Sequence, residues 1–97
     1  MLITAFFNDI NSLPITGLTP HLNIYDIEND VMTITAAHMV ESSLTNIPGW
    51  YEYDFTTIDT LKVYIVSIDG GVALANNIRY QYGQIEPETA VTPFVEF

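Results

Sequence analysis

Twelve carboxylates and two histidines carry most of the chemical potential of this 97-residue chain. Asp26, Glu28 and Asp30 alternate through one short stretch, and carboxylates so placed can converge on a hard cation such as calcium. The stretch lacks the glycine and the distal glutamate of a calcium loop, and acidic residues are common in hairpin turns. We read a turn there and assign no metal ligand. Glu52 and Asp54 lie two residues apart, a pairing that resembles the carboxylates of glycosidases. On one face of a strand they are more simply a solvated pair. His21 and His38 have no diagnostic spacing, because a Ser–His–Asp triad is defined by geometry and not by order in the chain. Gly70-Gly71 follows an apolar run but lacks the further glycine, the lysine and the helix of a phosphate loop. No catalytic, cofactor-binding or metal-binding residue is assigned, and the chain is not expected to be an enzyme.

The elements that would position such residues are organised by aromatic rings. Pro48-Gly49 is a turn signal that opens into strict alternation, with Tyr51, Tyr53 and Phe55 on one face and Trp50, Glu52 and Asp54 on the other. A period of two marks a strand with one buried and one wet face. Three rings are a heavy apolar load for so short an element, so other strands are expected to gather over them. Trp50 then points away from the core beside two carboxylates. Exposed tryptophan is favoured at protein interfaces; the alternative is that the ring covers an open end of the domain.

Leu2 to Phe7 reads as a first strand, and residues 8–12 as a polar turn. Pro14, Gly17 and Pro20 make the next segment an extended loop or edge. Leu22 to Ile27 and Val31 to Thr35 form a hairpin across Glu28-Asn29-Asp30. Ala36 to Ile47 reads as irregular, with Met39 tucked inward. Leu61 to Ile68 is the longest apolar run and reads as a strand buried on both faces. Asp69-Gly70-Gly71 is a turn, and Val72 to Asn77 is expected to cross between sheets. Ile78 to Tyr82 alternates, with Ile78, Tyr80 and Tyr82 on one face, and Gly83 ends it. Residues 84–97, with Val91, Phe94, Val95 and Phe97 set around Pro93, read as an extended C-terminal arm or a last edge strand. The whole is one all-β domain over residues 1–97, a small β-sandwich of six to seven strands.

Composition limits the partners. Lys62 and Arg79 are the only basic side chains besides histidine, and the net charge is -10. With no basic patch to displace counterions, neither nucleic acid nor an anionic membrane is an expected partner. There are no cysteines, which excludes disulfides and thiolate sites. Small extracellular domains usually carry disulfides, so a reducing cytoplasm or stabilisation by partners is expected. Only 14% of residues are charged while 48% are hydrophobic, a balance that suits a chain hiding surface in an assembly or homo-oligomer. The apolar start, Met1 to Phe7, is too short for a signal-peptide core, and no apolar run approaches membrane-spanning length. The apolar residues near both ends, Leu2, Phe6, Phe94, Val95 and Phe97, join Trp50 as candidate partner-interface residues.

From Gly17 to Gly83 the chain resembles small immunoglobulin-like β-sandwich modules of tailed-bacteriophage virion proteins. The likeness rests on Leu18-Thr19-Pro20 leading into Leu22 to Ile27, on Gly49-Trp50-Tyr51-x-Tyr53-x-Phe55, on Tyr64 to Ile68 closing at Asp69-Gly70-Gly71, and on Arg79-Tyr80-x-x-Gly83. It implies a structural protein of the virion, assembled in the host cytoplasm, with no cofactor and no catalytic residues to carry over. The expected role is a capsid decoration or auxiliary (cement) protein bound to the major capsid protein or to other virion proteins. A tail or fibre module contacting the host surface is the alternative. An acidic inhibitor or DNA mimic bound to a basic partner is a second one.

Overall fold

A computed structural model describes residues 1–87. Phe94, Val95 and Phe97, and most of the expected C-terminal arm, lie outside the described residues.

The chain forms two antiparallel sheets packed face to face. β1 (Leu2–Phe6), β5 (Ile47–Asp54) and β4 (Val40–Ser43) make the smaller sheet, in the order β1-β5-β4. β3 (Val31–His38), β2 (His21–Asp26), β6 (Tyr64–Asp69) and β7 (Tyr80–Ile85) make the larger, in the order β3-β2-β6-β7. In chain order these strands match B, C, C′, D, E, F and G of an immunoglobulin-type Greek key. Among the described residues no strand stands where that fold places strand A, beside β1. The only helix among them is the single turn α1 (Asn76–Arg79).

The expected alternation builds the core. Tyr51 and Phe55 are fully buried, with Phe7, Leu22, Ile24 and Met39 around them. Tyr53, the third ring of that face, is only half-buried and packs at the margin. Met39 turns inward between β3 and β4, as its sequence position suggested. Phe7 meets Tyr51 edge-on at 5.9 Å, and Phe55 meets Tyr64 edge-on at 5.2 Å. The buried Tyr64 hydroxyl accepts the Asp59 backbone N–H at 3.0 Å, five residues upstream of the strand it begins. This is the arrangement of a tyrosine corner, which pins the connection into strand F of immunoglobulin-type domains.

Four expectations are corrected. The stretch Ala36 to Ile47 is not irregular: β3 runs on to His38, and β4 follows. β3 carries register shifts against β2, and Ala36 takes φ 50, a left-handed value that inserts an extra residue into the strand. Val72 to Asn77 does not cross between sheets, since β6 and β7 pair directly. Ile78 belongs to α1, so β7 starts at Tyr80 and passes through Gly83 to Ile85. Leu61 lies outside β6 and is exposed, and β6 is buried on one face and half-covered on the other.

Candidate interaction surface

Antiparallel pairing places Leu2 opposite Asp54, Thr4 opposite Glu52, and Phe6 opposite Trp50. Glu52 in turn faces Val40 on β4. Alternation puts all of these on the outer face of the smaller sheet, away from the core. Phe6 and Trp50 stack with ring centroids 5.1 Å apart and planes tilted by 32°. Both rings are half-buried, each partly covering the other, so Trp50 neither stands bare nor enters the core. Leu2 and Val40 are 56% and 63% exposed on the same face. Three candidate interface residues, Trp50, Phe6 and Leu2, thus share one sheet face, although Leu2 sits at the far end of β1 from the stacked pair. Phe94, Val95 and Phe97 lie outside the described residues.

Local chemistry fixes the Trp50 end of this face. Gly49 adopts φ 85, and a Cβ there would come within 2.8 Å of Pro14. Its N–H donates to Glu41 Oε2 at 3.1 Å, and its carbonyl accepts the Phe7 N–H at 3.0 Å. The other Glu41 oxygen accepts the Gly17 N–H at 3.2 Å. The Tyr51 hydroxyl donates to the Ile15 carbonyl at 2.8 Å and accepts the Leu18 N–H at 3.1 Å. One carboxylate and one phenol therefore clamp the proline-bearing loop onto the sheet. Burial pushes the Tyr51 phenol above its ordinary range, against the Leu18 hydrogen bond, and the nearby Glu41 charge adds to the rise.

The acidic turn is occupied from within. Asp26 is buried, and its carboxylate accepts from Lys62 Nζ at 3.1 Å, from Asn29 Nδ2 at 3.0 Å and from the Glu28 N–H at 3.0 Å. Burial opposes its charge, but the hydrogen bonds from Lys62 and Asn29 prevail and hold it below the usual carboxylate range. Asp30 accepts the Tyr25 hydroxyl at 2.8 Å. A cation at this turn would have to displace Lys62, and no group of three metal-competent side chains occurs among the described residues. At the opposite end of that sheet Arg79 binds Asp69 in a fork, at 2.7 and 3.0 Å. Its hydrogen bonds hold Asp69 below the carboxylate range. Both basic side chains are thus spent in ion pairs on the larger sheet, while the smaller sheet's outer face keeps Glu52 and also Asp54, which lies 3.5 Å from the Met1 ammonium.

No family model, characterised protein or solved structure matches the chain. Its function must be argued from these surfaces.

Sequence reasoning missed two features. His21 and His38 are cross-strand neighbours, with rings edge-on at 4.5 Å. Their meeting depends on the bulged β2–β3 register, which leaves no trace in spacing. The second is the open side between β1 and β7, which follows from which strands end up outermost.

Proposed function

We propose that the chain is a structural protein of a bacteriophage particle, a decoration or cement subunit held on the capsid shell through the outer face of its smaller sheet. The observation that carries this reading is the Phe6–Trp50 stack on the outer face of the smaller sheet, with Val40 exposed near it and Leu2 exposed farther along the same face. A paired ring platform on a face that also carries exposed aliphatic residues and two carboxylates has the makeup of a protein-interface centre with a polar rim. The likeness of Gly17 to Gly83 to virion modules supports the setting. Adhesion would come from burying this face at roughly 25 cal/mol per Å² of apolar area. The uncompensated negative charge would keep decorated particles apart.

The DNA-mimic reading is weakened by where the carboxylates are used. Asp9, Asp26, Glu41, Asp59 and Asp69 accept hydrogen bonds from their own chain and do not present a free acidic array. A tail or fibre module would use the same ring pair against a host ligand, and binding of the isolated protein to a carbohydrate array would favour it.

The test is mass spectrometry of purified particles of the phage that encodes the chain. The chain should be present in stoichiometric ratio to the major capsid protein. Its absence from intact particles would sink the proposal.

A further inference from the structure

β3 is an outer strand of the larger sheet, and it ends where the chain leaves for β4 in the smaller one. Two histidines meet at that end. His21 opens β2, His38 closes β3, and they stand directly opposite each other. The next pair outward is Pro20 with Met39, whose N–H donates to the Pro20 carbonyl at 2.9 Å. Bonded and unbonded pairs alternate along an antiparallel ladder, so His21 and His38 occupy an unbonded pair. Side chains come closest at such pairs, where Cα atoms are roughly 4.5 Å apart. Leu22 beside His21 and Met39 beside His38 are buried, so both imidazoles project from the outer face of the sheet. Their ring centroids lie 4.5 Å apart, with His21 half-buried and His38 exposed.

A bulge fixes the register that brings them together. Ala36, two residues before His38, takes φ 50, and its N–H donates to Asn23 Oδ1 at 2.8 Å. Asn23 itself is two residues after His21, so the bulge is anchored close to both rings. On its other side His21 faces Asp69 of β6. The Asp69 carboxylate takes Arg79 in a fork and accepts the Gly71 N–H at 2.9 Å. Arg79 is thereby neutralised, and Lys62 is held by Asp26 at the far end of the sheet. The net charge of -10 draws cations toward the chain.

We propose that His21 and His38 form a two-histidine site for a divalent late first-row transition ion, with copper(II) held most tightly. Two nitrogens, each roughly 2.0–2.1 Å from one ion in adjacent positions, lie roughly 3 Å apart. Rings 4.5 Å apart reach that spacing by turning about side-chain bonds, which the exposed His38 is free to do. Imidazole suits copper, nickel and zinc, whereas calcium and magnesium take oxygen ligands. Asp69 is committed to Arg79, and no group of three metal-competent side chains occurs among the described residues. Water therefore fills the remaining positions. So open a pair imposes little geometry of its own, and affinity follows the intrinsic order, which peaks at copper(II). The bound ion staples the end of β3 to β2. The site lies on the opposite side of the sandwich from the Phe6–Trp50 face, so it is open whether or not that face is covered.

Copper(II) titrated into the full-length chain provides the test. Calorimetry should give one ion per chain, and pulsed EPR should count two imidazole ligands on it. One imidazole or none would overturn the proposal without recourse to any variant. His21→Gln and His38→Gln should each weaken binding about tenfold or more, because the second nitrogen binds intramolecularly at a high effective concentration. Unchanged affinity in either variant would contradict a chelate. Saturating copper(II) should also raise the Tm of the unaltered chain, because an ion held by the folded register and not by the unfolded chain stabilises the fold. The Tm of each variant should move much less. A Tm that copper(II) leaves unchanged or lowers in the unaltered chain would mean that the β2–β3 register does not form the site.

Discussion

At the scale of single residues, two contacts decide whether this sequence holds its shape. The Tyr64 hydroxyl satisfies the Asp59 N–H in a buried corner. Tyr64→Phe keeps the ring against Phe55 and leaves that N–H without its partner. It should lower stability by about 1–2 kcal/mol in urea unfolding, with the m-value unchanged. Gly49 combines a positive φ with a site where an added Cβ would come within 2.8 Å of Pro14. Gly49→Ala should therefore be the more damaging of the two, at about 2 kcal/mol or more by the same measurement, because strain and overlap act together. The Gly49 requirement was half legible in the sequence: Pro-Gly before an aromatic strand announces a turn residue, but not the loop that packs on it. The Tyr64 corner was not legible, since the bond joins a side chain to a backbone group whose position depends on the fold.

At the scale of elements, the sequence was readable wherever side-chain period and turn chemistry agreed. β1, β2 and the aromatic part of β5 fall where alternation places them, and Asp69-Gly70-Gly71 ends β6. It failed at β4, where Val40 to Ser43 is short and polar and follows a bulge. Ala36 in a left-handed conformation gives no warning, because alanine is not the residue that usually marks such a site. It failed again at β7, where Ile78 continues the alternating pattern of Tyr80 and Tyr82 but belongs to a helical turn. Of the candidate surface, the facing of Trp50 away from the core was legible from period two. Its stack on Phe6 was not, because it requires β1 to pair with β5 across 44 residues. The larger sheet is tied at both ends by ion pairs, Lys62–Asp26 and Arg79–Asp69. Both carboxylates titrate below their ordinary value of about 3.9 in the folded chain. Their contribution is therefore present above that value and lost as pH falls through the folded values. Stability should stay level on descent toward pH 5 and drop below about pH 4. Asp26→Asn and Asp69→Asn should each flatten that drop in pH-dependent urea melts while lowering stability at pH 7.

At the scale of the whole molecule, charge and apolar surface pull in opposite directions. A net charge of -10 with both basic side chains already paired leaves strong self-repulsion. Raising ionic strength from 0.1 to 1 M shortens the screening length from about 10 Å to about 3 Å. The Tm of the free chain should rise over that range. A fall would mean that the ion pairs outweigh the repulsion. The outer face of the smaller sheet runs against this polarity. Truncating its ring should separate folding from attachment. Trp50→Ala loses the stack on Phe6, worth roughly 1 kcal/mol, and should still fold. It should then be displaced from particles by the unaltered chain in competition, as expected of an interface anchor.

That face is where the account is most exposed, and oxidative footprinting of Trp50 addresses it directly. Hydroxyl radicals are applied to the free protein and to intact particles, and Trp50 oxidation is read by mass spectrometry against the exposed Tyr82 on the larger sheet as reference. Held to the shell by this face, the chain should show Trp50 oxidation suppressed several-fold in particles relative to Tyr82. Equal labelling of Trp50 in the free and particle-bound chain would contradict the claim that this surface carries attachment.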